Sequence, residues 1–139
     1  MPVTFRWTRP KPYPEHPKTL GEHLLKRRIE SGKKQAEVAS ELAIDVGTYA
    51  NWENDRTEPV TRYYPAIFRF LGYDPFPAPI TLAERIASKR RMLGLSLKQA
   101  AQLVGVDEGT FLRWERGEWK PRMSGPAIER FLNTRDTES

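Results

Sequence analysis

An all-α chain built as two tandem small helical bundles is predicted by three observations. The segment Thr19 to Pro59 lies over Thr81 to Pro121 at a constant offset of 62, with twelve of 41 positions identical, as expected of two copies of one structural unit. Apolar residues in each copy recur at helical spacing rather than in alternation. The punctuation also repeats: Thr19 and Thr81 each precede a Glu by three residues, Gly32 and Gly94 stop the first helical run, and Asp45 and Asp107 open a later one. These are capping-box, C-terminal and N-cap signals, respectively. Because both copies sit in one chain, a residue kept in both reads as a shared structural need, and one that differs as divided labour.

The elements follow in order. Residues 1–18 hold five prolines among Arg, Lys and the aromatics Phe5, Trp7 and Tyr13, a density that forbids regular helix and predicts an extended basic arm. In the first unit, residues 19–72, Leu20, Leu24 and Ile29 mark the apolar face of a helix that Gly32 ends. A short helix fits Gln35 to Leu42 with Val38, Ala39 and Leu42 inward, and a third fits Val46 to Trp52 behind the Asp45 cap. A fourth starts at Pro65, a residue suited to the first helical turn, and stops at Gly72. Residues 73–80 carry three prolines and, with Gly72, read as a stiff tether of at most ~28 Å. The second unit, residues 81–132, repeats the plan as Leu82 to Leu93, Leu97 to Val104, Glu108 to Trp114 and Pro126 to Leu132. Residues 133–139 are polar and read as a disordered tail.

Composition narrows the function classes. With 38% hydrophobic and 29% charged residues the chain reads as a soluble globular protein, and no apolar run reaches the length of a membrane span or a signal sequence. A cytoplasmic, nucleoid-associated location is expected. Zero cysteines and two histidines argue against thiol chemistry, zinc or another metal site. No nucleophile elbow or phosphate loop is present, so no enzyme, cofactor or small-molecule substrate is expected. The net charge of +5 is unevenly placed: residues 1–18 carry +3, residues 19–75 have eight basic and nine acidic groups, and residues 76–139 have eleven and eight. A basic surplus on the arm and the second unit points to a polyanion, nucleic acid first.

Two short helices joined by a tight turn, the second opened by a capping Asp, make a helix-turn-helix, whose second helix can enter the major groove of DNA. The strings RRIESGKKQAEVASELAIDVGTYANWEND and KRRMLGLSLKQAAQLVGVDEGTFLRWERG resemble the DNA-binding domain of the XRE family of Cro-type repressors. The likeness covers Thr19 to about Gly72 and again Thr81 to about Leu132. It implies the lambda-repressor-like helix-turn-helix fold in both units, and partly buried ion pairs between the first and third helices, Arg28 with Glu53 and Arg90 with Glu115. It further implies base readers at Val46, Gly47 and Asn51 and at Glu108, Gly109 and Arg113. Phosphate contacts are implied at Lys34, Gln35, Thr48, Asn54 and Arg56, and at Ser96, Lys98, Thr110, Arg116 and Lys120. Leu97 departs from the Gln usual in the family, and glycine at 47 and 109 supplies no side chain. Trp52, Trp114, Tyr49 and Phe111 read as core.

The function so predicted is sequence-specific binding of double-stranded DNA by a bacterial or phage transcriptional regulator of repressor type, with the second unit dominant in affinity. Arg6 and Arg9 of the arm are candidates for a minor groove. The alternative is a protein-interaction module, antitoxin-like or anti-activator, in which one helix-turn-helix does not contact DNA. A homodimer or a protein partner is compatible with either.

Overall fold

The computed structural model describes residues 13–119 and 121–134, with backbone alone at 121 and 122. Residues 1–12, including Arg6 and Arg9, lie outside this range, as do Lys120 and residues 135–139 of the expected tail. The described chain is all-helical: α1 Leu20–Ser31, α2 Gln35–Glu41, α3 Val46–Glu53, a 3₁₀ turn Thr61–Tyr63, α4 Tyr64–Leu71, α5 Leu82–Leu93, α6 Leu97–Val104, α7 Glu108–Glu115 and α8 Pro121–Leu132. Among the described residues no helix is long and apolar enough to cross a membrane, and no cluster of His, Cys, Asp or Glu is placed to hold a metal ion. By contact the chain divides into residues 1–57 and 58–139.

In the first unit Thr19 closes a full capping box. Its hydroxyl accepts from the Glu22 N–H at 3.1 Å, and Glu22 Oε1 accepts from the N–H groups of Thr19 and Lys18 at 3.3 and 2.7 Å. Tyr13 donates to Glu30 and Lys26 to the Glu15 carbonyl, so the end of the arm lies along α1. Leu24, Leu25, Val38, Ala39, Leu42, Tyr49 and Trp52 form the buried core, each large side chain worth ~1.5–3 kcal/mol. Ile29, expected inward, is 39% exposed. The buried stripe of α1 runs through Leu24 and Leu25 to Arg28, leaving Ile29 one position round the helix.

Two residues of this unit hold left-handed backbone without being glycine, Ala43 at φ 59° and Asp55 at φ 58°. Such geometry brings Cβ close to a carbonyl oxygen, and the repeat has Gly105 and Gly117 at the matching places. Asp55 has a compensating use: its carboxylate accepts from Thr19 Oγ1 at 2.7 Å and from the Gly21 N–H at 3.1 Å. Gly21 is obligatory there, since a Cβ would stand 2.6 Å from Asp55 Oδ1 and from the Glu53 and Trp52 carbonyl oxygens.

The second unit begins ahead of its own repeat. The sequence places the fourth helix with residues 19–72, whereas the contact boundary falls between Thr57 and Glu58. Phe76, in the stretch read as a tether, packs edge-on against Tyr64 and Phe68 at 5.6 and 6.3 Å, and the Arg91 guanidinium of α5 lies 4.0 Å over its ring. Arg90 donates to Thr61 Oγ1 at 3.1 Å. Ile86, Ala100, Ala101, Val104, Phe111, Trp114, Ile128 and Phe131 form the core of α5 to α8, with Phe111 and Phe131 edge-to-face at 4.9 Å. α8 starts at Pro121, five residues before the expected Pro126, which lies inside the helix. Proline fits a first turn, and an interior proline forfeits one backbone bond that a packed helix can give up.

Candidate nucleic-acid interface

Helices α3 and α7 are set by the same local device. Asp45 caps α3 by accepting the Thr48 N–H at 2.9 Å, and Asp107 caps α7 by accepting the Thr110 N–H at 3.0 Å. In both, the threonine hydroxyl also donates to the aspartate at 2.6 Å. These bonds, hydroxyl first, hold the Asp45 and Asp107 carboxyls below their usual range. Thr48 and Thr110, expected to meet phosphate, therefore have their hydroxyl hydrogens committed to the caps. The spacing Asp-x-x-Thr carried that signal in both copies.

A bidentate ion pair ties α1 to α3. Arg28 Nε and Nη2 donate to the Glu53 carboxylate at 2.7 and 2.9 Å, and Arg28 Nη1 donates to the Lys33 carbonyl at 3.1 Å. The Glu53 hydrogen bond is the main cause that raises the Arg28 pKa, while burial raises that of neighbouring Tyr49. In the second unit Arg90 grips Glu115 at 2.5 and 3.1 Å and donates to the Leu95 carbonyl at 3.0 Å. Gln35, a phosphate candidate, donates to Glu53 Oε1 at 3.0 Å. Leu97 stands at the matching place in the second unit, and there the Glu115 side chain is 12% exposed against 0% for Glu53.

The remaining candidates divide by exposure. Val46, Gly47, Glu108, Gly109 and Arg113 are exposed, while Asn51 is half-buried. The Arg113 guanidinium donates to Thr110 Oγ1 at 3.1 Å, and a Cβ on Gly109 would stand 3.8 Å from its Nη1. Asp107, Thr110 and Arg113 thus form a chain of hydrogen bonds along the exposed face of α7. Lys34, Arg56, Lys98 and Arg116 are exposed cations. Asn54 turns its amide back to the Ala50 carbonyl at 2.9 Å. Ser96 caps α6, its hydroxyl accepting from the Gln99 N–H at 3.0 Å. The contact of Asp55 with Thr19 and Gly21 escaped the sequence reading, although positions 21 and 55 change together between the copies, Gly and Asp in one, Ala and Gly in the other.

No curated protein and no solved structure matches the chain. Residues 24–76, which hold all but the first turn of α1 together with α2, α3 and α4, match the XRE-type helix-turn-helix family model, that of a DNA-binding domain.

Proposed function

We propose that the protein is a sequence-specific regulator of transcription that binds double-stranded DNA through α3 and α7, with the second unit supplying most of the affinity. Arg113 carries the reading. It is exposed on α7 and held by Thr110, and a guanidinium presented in this way grips guanine bidentately for ~1–3 kcal/mol of discrimination. Its counterpart Asn51 is shorter and half-buried. Val46, 47% exposed, offers methyl groups to thymine, and Glu108 offers an acceptor to cytosine. Lys34 and Arg56 in the first unit, and Ser96, Lys98 and Arg116 in the second, are the phosphate partners in this reading. Gln35, Thr48, Asn54 and Thr110 act by positioning. The charge supports the ranking, since residues 76–139 have eleven basic and eight acidic groups against eight and nine in residues 19–75. The repeated caps support two helix-turn-helix units.

The test starts with selection from a random duplex library, followed by titration of Arg113→Ala and Asn51→Ala on the enriched sequence. Arg113→Ala is expected to weaken binding ~5- to 150-fold, the range that ~1–3 kcal/mol spans, and Asn51→Ala by less. An equal or larger loss at Asn51 defeats the ranking of the units. An enriched motif with a single box leaves the first unit as a protein-binding module, and no enrichment at all refutes the DNA reading.

A further inference from the structure

Ahead of the second repeat, the 3₁₀ turn Thr61–Tyr63 is bound to the end of α5. Arg90 donates to Thr61 Oγ1 at 3.1 Å. Pro65 meets Gly94, the residue that stops α5, so closely that a Cβ there would stand 2.8 and 3.0 Å from its ring carbons and 3.5 Å from the Arg62 carbonyl oxygen. Gly32, the matching residue of the first copy, has nothing within 4 Å of the same point. The second copy's glycine thus admits a segment that the first copy does not receive at the matching place.

This turn and the start of α6 together line a hollow of ≈450 Å³, through Thr61 and Arg62 and through Ser96, Lys98 and Gln99. Arg62 and Lys98 are both exposed. Among the described residues no carboxylate lines the hollow, and none pairs with either cation. Arg62 is held by its neighbour, its Nη2 donating to the Tyr63 hydroxyl at 2.9 Å and its guanidinium lying 4.8 Å over the Tyr63 ring. A fork held in this way loses little freedom on gripping an anion. Two cations gathered without a carboxylate repel each other until an anion joins them, and an open wall suits a phosphate that stays attached to a chain.

We infer that Arg62, with Lys98, takes a backbone phosphate of duplex DNA, so that the second unit's grip includes a residue from outside its own repeat. The contact rests on the DNA reading proposed above and deepens it. It adds to the second unit a cation that repeat spacing assigns to the first.

The test measures binding of the full chain to the duplex enriched by selection and to a scrambled duplex of equal length, from ~50 to ~200 mM salt. Each neutralised phosphate adds ~0.9 to the steepness of log affinity against log salt. Arg62→Gln is expected to remove ~0.9 of it, so that the variant's deficit shrinks ~3.5-fold across the range. Both duplexes should lose alike, because a phosphate contact carries no sequence information. Arg62→Lys keeps the charge and should keep the slope, and both variants should keep the melting temperature at this exposed position. A wild-type slope in Arg62→Gln overturns the contact and leaves the DNA reading standing. A loss confined to the enriched duplex also overturns it, since Arg62 then reads a base, and so does a lysine variant with the slope of the glutamine variant. Failure of the unaltered chain to bind either duplex refutes the DNA reading itself, and this contact with it.

Discussion

Replacing Gln35 by leucine, the residue that stands at position 97 of the repeat, removes the amide that donates to Glu53 Oε1 at 3.0 Å. The Glu53 side chain is 0% exposed, so water cannot take the vacated lone pair without opening the packing around α3. A hydrogen bond to a charged group contributes ~1.5–3 kcal/mol. Leucine recovers ~0.5–1 kcal/mol by burying part of its apolar surface at a half-buried site. The net loss is about 1–2 kcal/mol, a factor of ~5–30 in the folding equilibrium. Equilibrium urea unfolding followed by circular dichroism measures it as a lowered midpoint at constant slope. Leu97→Gln in the second unit supplies the control and is expected to change stability by less, because Glu115 is 12% exposed and already reaches solvent. A change at Gln35 of under ~0.5 kcal/mol, the scale of a surface substitution, refutes the argument that Gln35 serves the ion pair.

Three further outcomes are expected. Ala43→Gly relieves a left-handed residue at φ 59°, which costs ~1–2 kcal/mol, against ~0.4–1 kcal/mol returned through the freer unfolded chain; the melting temperature should rise, Gly105→Ala should lower it, and a fall with Ala43→Gly contradicts the strain. The Asp107 carboxyl is held below the usual carboxyl range by the Thr110 bonds; a depressed folded value stabilises above the unfolded one and is lost as pH falls through the folded one. Asp107→Asn should therefore flatten the stability profile below about pH 4, and an unaltered slope in acid unfolding speaks against the cap. Thr110→Val releases Arg113 and should cut the preference for guanine over adenine ~5-fold in competition binding, with Thr110→Ser restoring it; unchanged preference in the valine variant removes Thr110 from the reading of bases.

The helices were legible where their signals are local. α5 and α6 begin and end at the expected residues because Thr81, Gly94 and Ser96 act within one turn of themselves. α8 was read five residues short, since either Pro121 or Pro126 suits a first turn and the choice is made by the chain around them. The ion pairs could be placed from the resemblance, whereas the role of Gln35 could not: its partner is 18 residues away, and a polar residue at the start of a helix suits phosphate equally well. The contact boundary at Thr57 was invisible for a related reason. Repeat spacing assigns the fourth helix to the first copy, and only the packing of Phe76 with Tyr64, Phe68 and Arg91 draws that stretch toward the second. Val46 and Arg113, singled out by the resemblance rather than by helical periodicity, are both exposed.

Gly21 and Asp55 fill one crowded corner of the first unit, and Ala83 fills the same corner of the second opposite Gly117, where a Cβ would come to 4.0 Å from the alanine methyl. Tandem genes recombine between their own copies. A crossover that joined the opening helix of one copy to the closing helix of the other would seat alanine against the aspartate, or leave glycine facing glycine with neither cap nor methyl between them. The duplicated segments can thus diverge as whole inheritances, but at this corner they can no longer exchange halves.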